Sequence, residues 1–105
     1  RGTEHAFSSA LNDNYKKGVY VCKACNTPLF KSENKYNSGT GWPSFDREIK
    51  DKVIISKTGS DHFGWEEHCA TCGGHLGHVF NDGPKNTTGK RHCINGVALK
   101  FIANK

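Results

Sequence analysis

Four of the five cysteines in this chain fall into two Cys-x-x-Cys pairs, Cys22/Cys25 and Cys69/Cys72, and Cys93 is the one thiol left over. Two such knuckles in a chain with few other cysteines read as one tetrahedral four-thiolate zinc site, each tight turn supplying two ligands. The apolar run Val19-Tyr20-Val21 leads into the first knuckle. Gly73-Gly74 follows the second, where glycine lets the backbone fold over a metal. Two disulfides or a redox dithiol fit less well. A matched pair exceeds what one dithiol needs, and no thioredoxin-like strand-helix pattern surrounds either knuckle.

Arg91-His92-Cys93-Ile94-Asn95 reads as a strand, with Arg91, Cys93 and Asn95 on one face and His92 and Ile94 on the other. A guanidinium two residues from a thiol favours the thiolate, the nucleophilic form. A lone cysteine is more ordinarily a buried structural residue, but these polar flanks argue for chemistry at Cys93. His75 and His78 follow the second knuckle directly, and histidine suits proton delivery near neutral pH. A regular strand sends positions 75 and 78 to opposite faces, so both serve one site only if Gly77 kinks or bulges the strand. Zinc ligation by these histidines is the alternative, and it is cramped because four cysteines already complete a tetrahedron. Gly39-Thr40-Gly41-Trp42-Pro43-Ser44-Phe45 holds an indole in a stiff turn, as core or as a pocket wall. Beside reactive sulfur, such a wall suits a substrate with a soft methyl-sulfur group.

The elements that must position these residues are short. Apolar stretches predict strands at Val19 to Val21, Leu29-Phe30, Val53 to Ser56, Phe63 to Glu67, Leu76 to Phe80, Arg91 to Asn95 and Val97 to Ile102. Turn chemistry separates them at residues 37–41, 58–61 and 81–84. A turn of helix is expected around Ala6, Phe7, Ala10 and Leu11, ending by Gly18. The fold expected is all-β (mainly β), with little helix near the N-terminus, in a single domain over residues 1–105. With 34% hydrophobic residues the core is thin, and a metal cross-link between the knuckles would compensate for modest burial.

The formal charge is +5, and four zinc-bound thiolates with Zn2+ bring it to about +3. The lysines are scattered, which argues for a solvated surface and against a nucleic-acid footprint. No segment has the length and apolarity of a membrane span. A free thiol beside zinc thiolates favours a reducing compartment, the cytoplasm or a reducing organelle. Beginning at Arg1 and lacking methionine, the chain is expected to be a trimmed or processed form, any targeting segment lying outside it.

Gly39-Thr40-Gly41-Trp42-Pro43-Ser44-Phe45, then Cys69-x-x-Cys72-Gly73-Gly74-His75-Leu76-Gly77-His78-Val79-Phe80-Asn81-Asp82-Gly83-Pro84, then Arg91-His92-Cys93-Ile94-Asn95 and Leu99-Lys100-Phe101, closely resemble the type B methionine-R-sulfoxide reductases. The resemblance runs in order over nearly the whole chain. It implies two antiparallel sheets, a structural zinc on Cys22, Cys25, Cys69 and Cys72, and a catalytic Cys93. It assigns pocket, acid-base and binding roles to Trp42, His75, His78, Arg91 and Asn95. Phe45 or Phe80 would join Trp42 in holding the S-methyl group.

Several relatives carry a resolving cysteine where this chain has Thr40, so no internal disulfide can form once four cysteines hold zinc. Two further departures are His92, where an aromatic is common, and Gly96, where serine is common. The implied reaction makes a sulfenic acid on Cys93, which thioredoxin, glutaredoxin with glutathione, or a small thiol would reduce. The substrate would be R-sulfoxide, free or in proteins, and the chain is expected to act as a monomer. The rival readings are a nucleic-acid-binding zinc ribbon and a thiol redox sensor that would need no histidine-tryptophan pocket.

Overall fold

The computed structural model describes residues 5–104, and these form a β protein with three short 3-10 turns among them. In chain order the strands are β1 (Gly18–Cys22), β2 (Pro28–Lys31), β3 (Lys35–Tyr36), β4 (Ser44–Phe45), β5 (Val53–Ser60), β6 (Gly64–Cys69), β7 (His75–Phe80), β8 (Arg91–Ile94) and β9 (Leu99–Ala103). They make two antiparallel sheets, one ordered β2-β1-β9 and the other β3-β4-β8-β7-β6-β5. No helix among the described residues is long and apolar enough to cross a membrane.

The core lies between the sheets. Val19, Tyr20 and Val21 suit a pleated central strand, and Tyr20 is wholly buried. Phe30 stacks on Phe45 with ring centroids 4.4 Å apart, and Tyr20 meets Phe45 edge-on at 5.0 Å. Leu29, Leu76, Ile94 and Leu99 complete the cluster, together with knuckle cysteines Cys22 and Cys69. β5 is the outer strand of the larger sheet, and its Ile54 and Ile55 are exposed. Its register with β6 shifts between Ile55 and Gly59, an irregularity that makes an edge a poorer template for another strand.

Several predicted boundaries move. Residues 96–98 form a 3-10 turn, so β9 starts at Leu99 and not at Val97. Phe63 sits in the turn before β6 and is 74% exposed. The helical turn near the start is a 3-10 turn over Ala10–Asp13, capped by the Ser9 hydroxyl accepting from the Leu11 N–H. The two-residue strands β3 and β4 leave no periodic trace and went unread.

Behind β8, on the face opposite Cys93, lies a buried polar pair. Glu67 Oε2 is 2.7 Å from His92 Nδ1, and Glu48 Oε1 is 3.5 Å from His92 Nε2. Glu67 on β6 reaches β8 past its register partner Gly77, which presents no side chain to obstruct it. Burial pushes the Glu67 carboxyl up, against the opposing pull of His92. His92→Phe is therefore expected to strand a buried carboxyl and cost about 3 kcal/mol, with Glu67→Leu in the same chain recovering most of it. Urea denaturation midpoints of the two single variants and the double variant test this. Additive losses would disprove the coupling.

Candidate active site

The register of the larger sheet assembles the site. His78 on β7 and Ser44 on β4 are both register partners of Cys93 on β8, so the thiol lies mid-sheet between them. Directly opposed residues of an antiparallel pair share a face, which puts His78 beside Cys93. The pairing of β6 with β7 runs Glu67 to Gly77 but His68 to His75, leaving Leu76 as an extra residue. That bulge breaks the alternation, so His75, His78 and Phe80 are half-buried on one face while Leu76 and Val79 turn into the core. The His75 and His78 rings lie 5.6 Å apart. Gly77 is required here. A Cβ at that position would sit 2.2 Å from the Cys93 carbonyl oxygen.

A cavity of about 140 Å³ is lined by Trp42, Gly77, His78, Phe80, Cys93 and Asn95. Trp42 is thus a pocket wall. His75 stands one step back and lines a second cavity beside the first knuckle, with Lys23, Leu76 and Val97 among its walls. Arg91 does not line the reactive cavity. It lies over the Phe80 ring at 4.2 Å and is held by Asp82, through Nε to Oδ1 at 2.8 Å and Nη2 to Oδ2 at 3.2 Å. It packs on Phe80, and its positive charge favours the Cys93 thiolate. The expectation for Phe45 is corrected. It is wholly buried between Phe30 and Tyr20, in the core and away from the cavity, because adjacent residues of β4 point to opposite faces.

Cys93 is less activated than its arginine neighbour suggests. Burial pushes the thiol above its ordinary value of 9.0, the Thr40 hydroxyl and the Arg91 charge pull it back down, and buried Glu67 opposes them. Thr40 Oγ1 lies 3.9 Å from Cys93 Sγ and starts a hydroxyl chain, 2.8 Å to Ser38 Oγ and then 2.7 Å to Ser44 Oγ, which donates to the Trp42 carbonyl. This chain ties the tryptophan turn to the thiol. Gly41 bends that turn at φ +91°, a conformation glycine adopts freely. Tyr36 on β3 was missed by the sequence reading. Its hydroxyl is buried with no hydrogen-bond partner among the described residues, and burial raises its pKa against the pull of Arg91.

Cys22, Cys25, Cys69 and Cys72 gather into one cluster. Cys22 to Cys72 and Cys25 to Cys69 are each 3.6 Å between sulfurs, close to the separation of about 3.8 Å in a tetrahedron of thiolates around zinc. The knuckles match in backbone. The Asn26 N–H donates to the Cys22 carbonyl and the Gly73 N–H to the Cys69 carbonyl, with Asn26 and Gly73 at φ +63° and +76°. Thr27 lowers the Cys25 thiol while burial raises that of Cys22. A cation that ionises all four would resolve the mismatch. The residues fit a four-thiolate metal site.

This β architecture resembles the solved Mis18 'Yippee-like' domain, with a TM-score of 0.67, 18% identity, and 86% of this chain and 99% of that one covered. At that identity the likeness concerns the fold alone. The SelR domain model matches residues 1–103. A "Peptide methionine sulfoxide reductase MsrB" of Leptospira interrogans is 55% identical over 104 residues, covering 96% of this chain and 78% of that protein. The protein of that name from Methanosarcina barkeri is 50% identical over 103 residues, covering 96% and 72%. A "Probable methionine-R-sulfoxide reductase B" of Caenorhabditis elegans is 46% identical over 103 residues, covering 95% and 68%. The chain belongs to the SelR family, the type B methionine sulfoxide reductases, and is an oxidoreductase.

Because burial outweighs its activating neighbours, alkylation of Cys93 by iodoacetamide is expected to reach half its maximal rate above pH 9.0. Thr40→Val removes a bond that favours the thiolate and should slow alkylation at any pH below that midpoint by about two- to fivefold. Peptide mass spectrometry of the Cys93 fragment over a pH series measures both. A midpoint below pH 9.0 would contradict the balance described.

Proposed function

We propose that this protein reduces the R epimer of methionine sulfoxide to methionine through a sulfenic acid on Cys93, and that a structural zinc holds its four remaining cysteines. The observation that carries the reading is the cavity in which Cys93, His78 and Trp42 meet. About 150 Å³ accommodates a benzene-sized group, so this cavity suits a methylsulfinyl head with the rest of the substrate outside. That arrangement is compatible with sulfoxide in a peptide as well as free.

Trp42 and Phe80 provide the aromatic surface for the S-methyl, where the soft group packs favourably. Fixing the methyl against that wall leaves one epimer with its oxygen toward His78 and turns the other away. Cys93 sulfur attacks the sulfoxide sulfur, and His78 donates a proton to the sulfoxide oxygen. The thiol proton replaces the one given by His78, giving an adduct with a new sulfur-sulfur bond and a hydroxyl on the substrate sulfur. The hydroxyl then passes to Cys93 as its bond to the substrate sulfur breaks, leaving S–OH, and the sulfur-sulfur bond breaks with both electrons going to the methionine sulfur. Two electrons pass from the cysteine sulfur to the substrate sulfur, releasing methionine. His75 supports His78 from behind, Asn95 positions the polar part of the substrate or a water, and Arg91 biases the thiol. An external thiol condenses with the sulfenic acid and releases water, and a second thiol frees Cys93. Thioredoxin, glutaredoxin with glutathione, or a small thiol can serve, and a reducing compartment suits this chemistry. Zinc is the ion favoured by a four-thiolate tetrahedron.

With separated epimers of a blocked methionine sulfoxide and excess dithiothreitol, the R epimer alone should turn over. Cys93→Ser should reduce activity to background. His78→Gln should lower kcat by about a hundredfold, and His75→Gln by less. Chromatography of the methionine formed measures each, and turnover by the Cys93 variant would end the proposal. For the metal, elemental analysis should find zinc. Chelation should abolish the cooperative unfolding transition, and thiol titration in denaturant with chelator should count all five cysteines. A count of one would indicate two disulfides instead.

A further inference from the structure

We infer that Glu66, His75 and His78 form a second metal site, for a late first-row divalent ion, on the face of the larger sheet beside the reactive cavity, and that filling it stops reduction. The carboxylate and the two imidazoles offer donor atoms that all lie within 4.8 Å of one another, and all three residues are half-buried. Their placement is a consequence of register. Glu66 is the cross-strand partner of His78, and His68 is the partner of His75, so two adjacent strands present four donors as a square. The Leu76 bulge is what brings His75 and His78 to the same face. His68 closes the square, its ring 5.4 Å from that of His75 and its Nε2 3.8 Å from Glu66 Oε1.

Three donors around one ion at about 2.0–2.1 Å stand some 3.0–3.5 Å apart, so side-chain shifts of roughly 1 Å gather this set. Two imidazoles and a carboxylate suit Zn2+, Co2+ or Ni2+ and leave open positions for water. His68 serves as a further ligand or as the partner that orients the carboxylate. This site is separate from the four-cysteine cluster, with which it shares no residue.

The inhibitory half rests on the role proposed above for His78, whereas the binding half does not. An imidazole nitrogen that donates its lone pair to a metal cannot hold the proton it would deliver. His78 lines the reactive cavity, so a bound ion also narrows the entry to Cys93.

The test uses zinc-loaded protein carrying Cys93→Ser, which removes the reactive thiol and any need for a metal-binding reductant. Isothermal titration with Zn2+ is expected to find one further equivalent. Co2+ should give weak d-d absorption with no thiolate-to-cobalt band. Glu66→Gln should weaken binding by about tenfold or more, and His75→Gln with His78→Gln should abolish it. No further equivalent, unchanged binding in these variants, or a thiolate band would overturn the site. With the wild-type thiol and no dithiothreitol, a single turnover of the R sulfoxide should be suppressed by Zn2+. Glu66→Gln should turn over normally and resist the ion. Binding without suppression would overturn the inhibitory half alone. Absence of turnover in metal-free buffer would count against the reductase reading while the titration still decides the site.

Discussion

The four-cysteine clasp is the constraint on which the rest of this small structure leans. Cys22 ends β1 in the three-stranded sheet and Cys69 ends β6 in the six-stranded one, so one cluster joins the two layers. Both are core residues as well as members of the four-cysteine cluster, packed with Tyr20, Leu76 and Ile94. The clasp also reaches the reactive strand through the backbone. The Lys23 N–H of the first knuckle donates to the Ala98 carbonyl, in the turn that leaves β8 just beyond Asn95. A chain with 34% hydrophobic residues would gain from a metal bound there what a larger domain obtains from burial.

Given that frame, one irregularity decides the chemistry. Without the extra residue at Leu76, His75 and His78 would lie on opposite faces and the open side of the sheet would carry a single histidine. The side chain missing at Gly77 lets β7 approach the Cys93 carbonyl and lets Glu67 pass to His92. The same register that sets His78 against Cys93 sets Glu66 against His78. The proposed proton donor and the proposed metal-binding set therefore arise from one local geometry and would compete for the same imidazole.

Much of this was legible in the residues. The paired knuckles, the faces of residues 91–95 and the need for a break near Gly77 all follow from spacing and period, because each depends only on neighbours in sequence. What escaped depends on contacts between distant segments. Phe45 carries no mark that distinguishes core from pocket wall, since the assignment turns on which face of a two-residue strand meets Phe30. The Glu67-His92 pair could have been anticipated in part. His92 alternates with Cys93 and so faces the core, where an imidazole needs a partner, but only the fold brings Glu67 to it. The state of Cys93 was misjudged for a similar reason. Arg91 is visible two residues away, whereas the burial that outweighs it comes from the neighbouring strands β4 and β7 and the tryptophan turn.

A thiol held in its protonated form is less of a handicap than it first looks. A thiolate of higher pKa is the stronger nucleophile once formed, so a raised value lowers the ionised fraction while increasing the reactivity of what remains. In the proposed reaction the substrate oxygen must also gain a proton from His78, and a thiol that arrives protonated brings the one that restores His78. Thr40 and Arg91 then need only tilt ionisation at the moment of attack, when His78 is giving up its own proton to the oxygen. Permanent ionisation would expose Cys93 to alkylation and to oxidation without substrate, and its neighbour in the tryptophan turn is the Thr40 hydroxyl, not a thiol. Burial of Cys93 and a hydroxyl in place of a neighbouring thiol are thus mutually consistent with the proposed reaction: reactivity would be withheld until a sulfoxide enters the cavity.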